Sequence, residues 1–391
     1  VRSLLDWTPK QTKPDIVKKF LIVTPKEKPN IFFEIIEHIG QGAFGSVDLI
    51  QNIENKNYYI FKIGKDNDAY KEGIQSNMLK GILDDDMLVL YQGKSKTDFL
   101  ISHYNGKNLN QKYTIHKLKL CEDYKNITIQ ILDLLYRINS KNIFHNDIKP
   151  DNLTIKKGKV YLIDYGLLGN MSIGGSLMSM PFKSVIRDCD GIGFHKYRKY
   201  HEYLLGILID TDIFGFFYCC ISLLLFINNK IGIWDIFKDL KIKDIQEDSM
   251  YNIFKLYYFI LPESKRIIPE LNEHSNAIYG SLFSSNDYLD LFGVVPPENI
   301  NLFRFMSYIY FKLDYYLLSS KDERDYYFLR NKNNKQNLIE FLRVLSDCLL
   351  PNFEYATFIN KYKIAVSLLF KNYLFVNLYI LNSYYFTDNL I

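Results

Sequence analysis

The stretch "FHNDIKPDN", Phe144 to Asn152, places a histidine, two aspartates, a lysine and two asparagines in immediate succession. It follows directly on an amphipathic helical run in which Tyr124, Ile127, Ile131, Leu134, Leu135 and Ile138 recur on one face. Turns gather Asn and Asp because their side chains satisfy nearby backbone groups, so the stretch alone has an ordinary reading. Its chemical reading is more demanding. Asp147 has the character of a general base for a hydroxyl, Lys149 of a cation that neutralises a transferring phosphoryl group, and Asn152 of a carbonyl donor to a divalent cation. Downstream, "VYLIDYGL" sets Asp164 at the end of an apolar strand before a glycine, where a metal-holding carboxylate would be positioned.

Upstream, "IGQGAFGSV" runs from Ile39 to Val47 and carries Gly40, Gly42 and Gly45 between two expected strands. Glycines let a backbone approach phosphates closely, and glycine-rich hairpins also occur for structural reasons alone. A dinucleotide fold would need a helix to open at the third glycine. The continuation "SVDLIQNIEN" reads as a strand, so that option falls. Lys62, in "YYIFKI", sits on the following strand, either as a solvated edge residue or as an inward cation needing an anion. Glu72, on the next helix, would supply a counter-charge or stand as an ordinary surface acid.

The bulk numbers set limits on the rest. A chain of 391 residues with 48% apolar and 24% charged residues is expected to fold around a sizeable core. Its 48 basic and 44 acidic residues leave a net charge of +4, too balanced to imply direct nucleic-acid binding through bulk electrostatics. The five cysteines, Cys121, Cys189, Cys219, Cys220 and Cys348, form no CxxC pair, which argues against zinc and a disulfide scaffold and fits an intracellular protein, cytoplasmic or nuclear. The first residues lack the pattern of a secretory signal. Ile213 to Ile227, "IFGFFYCCISLLLFI", and "IAVSLLFKNYLFVNLYIL" further on are read as buried helices, not membrane spans, the first being too short and the second interrupted by Lys371, Asn372 and Asn377.

Three regions follow from composition. Residues 1–30, basic and dotted with Pro9, Pro14, Pro25 and Pro29, read as a surface arm, with ordered structure beginning near Ile31. Residues 31–104 carry short β-branched and aromatic runs around one helix at 69–82. Residues 105–391 are mostly helical in pattern. The expected fold is α+β and bilobal, with a small β-rich lobe followed by a large helical one.

Together these motifs resemble a eukaryotic-type serine/threonine protein kinase. "GQGAFGSV" is similar to the glycine-rich loop, Lys62 to the strand lysine, Glu72 to its helix partner, "HNDIKPDN" to the catalytic loop, and "DYG" to the metal-binding triplet. "TDIFGF" resembles the start of the buried helix whose aspartate, here Asp212, braces the catalytic loop. "LIDYGL" with "GKNL" most resembles the branch of the casein-kinase-one and vaccinia-related kinases. The resemblance implies ATP and Mg2+ as cofactors and protein substrates with Ser or Thr acceptors. It implies Asp147 as base and Lys149 as its catalytic companion, with Asn152 and Asp164 as magnesium ligands. Lys62, fixed by Glu72, would hold the phosphates under a cover formed by Ile39, Gly40, Gln41, Gly42, Ala43, Phe44, Gly45 and Val47. His145 becomes scaffold, and Ser102 to Asn105 the connector that contacts adenine.

The departures are equally specific. Asn146 stands where many kinases carry Arg, so activity without phosphorylation of the activation segment is expected. Ile60 replaces a small residue two before the lysine and bears on ATP against GTP preference. Ser76 replaces a bulky apolar residue one turn beyond Glu72, and only Glu202 approaches the usual Ala-Pro-Glu triplet. Lys196, Arg198 and Lys199 form either a solvated basic face or a preference for acidic substrates. Two other functions stay open: a pseudokinase scaffold that binds nucleotide or protein without turnover, and a small-molecule phosphotransferase of the aminoglycoside type. The oligomeric state has no signature in the sequence.

Overall fold

A computed structural model describes residues 6–7, 18–23, 29–42, 45–64, 67–94, 97–113, 117–170, 211–229, 287–319, 332–350 and 353–369. The β-branched and aromatic runs near the N-terminus form strands β1 (Asp6–Trp7), β2 (Lys18–Val23), β3 (Ile31–Gly42), β4 (Gly45–Asn52), β5 (Tyr58–Gly64), β6 (Val89–Lys94) and β7 (Asp98–His103). They make one antiparallel sheet in the order β1-β2-β3-β4-β5-β7-β6. Alternate residues turn to one face and bury Leu21, Val23, Phe33, Ile50, Tyr59, Phe61, Phe99 and Ile101 in a common cluster. Helix α1 (Asp68–Ser76) packs on β7 and β6.

Two expectations need correction here. Order does not begin near Ile31. Strand β2 pairs with β3, Val23 opposite Ile31 and Phe20 opposite Glu34, and its Leu21 and Val23 are buried. None of the four prolines lies inside β2, so they punctuate the chain around the strand without excluding it. The helix expected over 69–82 stops at Ser76 and tightens into a 3-10 turn over Asn77–Leu79. Leu79, Leu83, Met87 and Leu88 then belong to the core of the large lobe, so this connection joins the two lobes.

The described residues of the large lobe are mostly helical, as the period predicts. β8 (Lys107–Asn108) and α2 (Leu109–Tyr113) lead into α3 (Lys117–Asn139). All six residues of the α3 apolar face are buried. β9 (Leu153–Lys156) and β10 (Lys159–Leu162) form a small sheet with β8 directly after the "FHNDIKPDN" stretch. Helix α4 (Thr211–Asn229) is apolar on every side and buried from Asp212 to Ile221, the behaviour of a core helix. No helix among the described residues is long and apolar enough to cross a membrane.

Helices α5 (Asp287–Phe292), α6 (Ile300–Ser319), α7 (Lys332–Ser346) and α8 (Tyr355–Leu369) are the remaining helices of the lobe among the described residues. Tyr362 of α8 meets Phe216 of α4 edge-on at 5.2 Å between ring centres, and its hydroxyl lies 3.3 Å from Cys220 Sγ. Tyr124 and Tyr362 are fully buried, so here tyrosines serve as core material. Cys219, Cys220 and Cys348 are buried free thiols, pushed above the ordinary range by burial. The architecture is the expected bilobal α+β arrangement, a small β-rich lobe and a large, mostly helical one.

Candidate active site

Lys62 reaches the cleft because the β4–β5 and β5–β7 registers place it between Val47 and Leu100, midway along a central strand. Its ammonium lies 2.5 Å from Glu72 Oε2 and 3.2 Å from Asp164 Oδ1. Burial alone would lower the lysine, but the charges of Glu72 and Asp164 and their hydrogen bonds outweigh it, so Lys62 is raised and stays protonated. Glu72 is pushed up to about 7 by burial and by the charge of Asp164, with Lys62 pulling the other way. The edge-strand reading of Lys62 and the surface reading of Glu72 therefore both fall.

Helix α1 owes its placement to groups distant in sequence. Its start has no side-chain cap of its own; instead Asp98 Oδ2, from β7, accepts the Tyr70 N–H at 3.0 Å. Glu72 Oε1 also accepts the Tyr165 N–H at 3.3 Å, tying α1 to the "DYG" triplet. Ser76 is buried, and its Oγ accepts the Val89 N–H at 2.9 Å. Where an apolar side chain was expected, a hydrogen bond thus ties the end of α1 to β6.

Across the cleft, Asp147 Oδ2 accepts from Lys149 Nζ at 2.7 Å and from Asn152 Nδ2 at 2.8 Å. Asn152 Nδ2 also donates to the Asp147 carbonyl at 2.9 Å, so both of its N–H groups turn toward Asp147 and its amide oxygen is left to coordinate a cation. Asp164 and Asn146 adopt left-handed backbones, φ 64° and 66°, which non-glycine residues hold only when their surroundings over-determine them. The brace is Asp212: Oδ1 accepts the Asn146 N–H at 2.7 Å, and Oδ2 accepts the His145 N–H and Asn139 Nδ2, each at 2.8 Å. Burial pushes the Asp212 carboxyl up, and these donors oppose that shift.

His145 is fully buried, with its ring 5.7 Å from that of Tyr165 and Nε2 3.1 Å from the Ile163 carbonyl, positions that suit scaffold and not base. Asn146 donates from Nδ2 to the Leu167 carbonyl at 2.9 Å. Phe144 and Gly169 exchange two backbone hydrogen bonds, at 2.8 and 3.0 Å. The start of the segment after Asp164 is therefore held against the "FHNDIKPDN" stretch by backbone contacts and one amide.

A cavity of about 460 Å³ lies between the lobes. Ile39, Val47, Ile60 and Ser102 line its apolar part, while Lys62, Asn152 and Asp164 line its polar end. Ile60 and Ser102 are directly opposed across β5 and β7, so the bulk of one faces the smallness of the other. Gly40 and Gly42 lie on β3 and Gln41 with them, opposite Val47, Gly45 and Ser46. Ala43 and Phe44, and likewise Lys196, Arg198, Lys199 and Glu202, lie outside the described residues. No group of three His, Cys, Asp or Glu gathers around a metal position among the described residues. Asn152 and Asp164 form a pair of hard oxygen donors, which suits an ion that keeps waters and shares phosphate oxygens.

Three residues that shape the site had no sequence signal: Asp98, Asn139 and Tyr355, each with a partner far along the chain, Tyr70 for Asp98, Asp212 for Asn139 and Asn139 for Tyr355. Tyr355 donates its hydroxyl to Asn139 Oδ1.

Residues 33–185 match the protein kinase domain family. A Dictyostelium discoideum protein named "Probable serine/threonine-protein kinase" is 30% identical over 157 residues, 37% of this chain and 34% of that one. The Caenorhabditis elegans serine/threonine-protein kinase sgk-1 is 30% identical over 34% of this chain and 32% of its own length. Xenopus laevis serine/threonine-protein kinase greatwall is 30% identical over 38% of this chain and 18% of its own. The chain thus spans about a third or less of the length of these relatives.

Proposed function

We propose that the chain is a serine/threonine protein kinase that transfers the γ-phosphoryl group of ATP to a protein hydroxyl. The observation that carries this reading is the Lys62 ammonium held between Glu72 and Asp164, in the same cleft as Asn152 and the Asp147 loop. The match to the protein kinase domain and the names of the relatives support it. Lys62 grips the α- and β-phosphates, with Glu72 fixing its direction, and the β3–β4 hairpin with its three glycines covers them. Asp147 orients the acceptor hydroxyl and takes its proton as the new oxygen–phosphorus bond forms and the β,γ-bridge breaks to leave ADP. Lys149 sits on Asp147 at 2.7 Å, where it neutralises charge on the moving group. Asn152 and Asp164 are the residues that would hold magnesium, which when bound neutralises phosphate charge.

Lys149, two after the base, supports serine and threonine over tyrosine. Within the class, "LIDYGL" and "GKNL" support the casein-kinase-one and vaccinia-related branch, although the matched relatives do not single it out. The substrate is a protein presenting Ser or Thr. A scaffold without turnover would show damage at Lys62, Asp147, Asn152 or Asp164, and every one is present.

Asp147→Asn tests the reading. General-base loss predicts a fall in turnover of about 10²- to 10⁴-fold with nucleotide affinity retained. Unchanged turnover with casein or basic protein as acceptor would overturn it.

A further inference from the structure

Helix α8 begins at Tyr355, whose half-buried ring packs edge-on against Phe353, at 4.9 Å between ring centres, and tilted against Tyr136 of α3, at 5.6 Å. Its hydroxyl meets Asn139, the last residue of α3. The orientation of that amide is fixed by its other side. Asn139 Nδ2 donates to the Ile143 carbonyl at 2.9 Å and to Asp212 Oδ2 at 2.8 Å, so both N–H groups are engaged and the oxygen is left to accept from the phenol. Asn139 is buried, and a turned amide would set its oxygen against the Asp212 carboxylate. Asp212 in turn holds the backbone N–H groups of His145 and Asn146, the two residues directly before Asp147.

We infer that Tyr355 is a positioning residue for the catalytic loop, acting through Asn139 and Asp212. A hydrogen-bonded chain thus runs from a helix far along the sequence to the residue beside the base. It gives α8 a role in the reaction beyond burying apolar surface. Removing the phenol leaves a buried acceptor unpaired while the ring contacts persist, so the amide loses its anchor and the Asp212 cradle loosens. The effect falls on the loop that carries Asp147, not on the Lys62 side of the cleft. As a statement about turnover, the inference rests on the kinase reading; as a statement about the loop, it does not.

Tyr355→Phe in the full chain tests it, with Tyr136→Phe as a packing control. Amide hydrogen exchange of the peptide spanning Ile143 to Asp147 should quicken in Tyr355→Phe and not in Tyr136→Phe. The kcat for protein phosphorylation should fall roughly fivefold, the rate equivalent of about 1 kcal/mol, with KM for ATP unchanged. A structural role alone would lower the melting temperature and leave kcat and loop exchange as they were. Equal exchange in wild type and Tyr355→Phe, or an equal change in the control, overturns the inference. If the wild type transfers no phosphoryl group, the kinase reading fails, and the exchange arm decides the coupling by itself.

Discussion

Glu72 shows how one residue is shaped by neighbours from two other parts of the chain. Its carboxylate meets Lys62, the Tyr165 N–H and the charge of Asp164, and burial with that charge pushes it up to about 7 from 4.5. Between those values the folded protein keeps a proton that the unfolded chain has lost. Glu72 therefore makes the fold more stable as pH falls through this window and less stable as it rises toward 7. Urea midpoints at pH 5 and pH 8 should differ less in Glu72→Gln than in wild type, and an undiminished difference would contradict the assignment. That Lys62, Asp147, Asn152 and Asp164 come together was legible because polar groups recur in a fixed order around strand and turn signals. Ser76 and Asn146 were visible only as departures. What they do depends on Val89 and Leu167, whose backbone groups no side-chain pattern in the sequence identifies.

At the scale of elements, the β4–β5 pairing sets where Lys62 points. Gly45 opens β4 with φ 137°, and a Cβ there would lie 1.8 Å from the Ile63 carbonyl oxygen, one residue from the lysine. Gly45→Ala must shift the strand that carries Lys62. It should cost roughly 1–3 kcal/mol of stability and weaken nucleotide binding, checked by denaturant midpoint and nucleotide titration. Unchanged values for both would show that the hairpin does not fix the lysine. Helix α3 was legible from its period, because one face buries six apolar side chains. Strand β2 was not: lysines and nearby prolines mask a short alternation of Leu21 and Val23, and only pairing with β3 makes it a strand. The end of α1 escaped for a similar reason, since residues after Ser76 leave the helix to reach the other lobe's core.

At the scale of the whole molecule, two lobes with separate cores meet at a cleft that draws its polar groups from both. The small lobe supplies Lys62 and Glu72; the large lobe supplies Asp147, Asn152 and Asp164. The ion pair between Lys62 and Asp164 closes the distance between them at 3.2 Å. Bilobality was legible as a switch from strand to helix period, whereas the packing of α8 on α3 and α4 was not, because contacts such as Phe216 with Tyr362 join distant segments. The most direct test of the central claim, that this cleft catalyses metal-dependent phosphoryl transfer to protein hydroxyls, is incubation with γ-labelled ATP, magnesium and a mixture of casein and basic protein, followed by identification of the labelled amino acid. The account predicts label on serine and threonine that requires magnesium and is lost in Asp164→Asn; no transfer by the wild type, or equal labelling by Asp164→Asn, would contradict it.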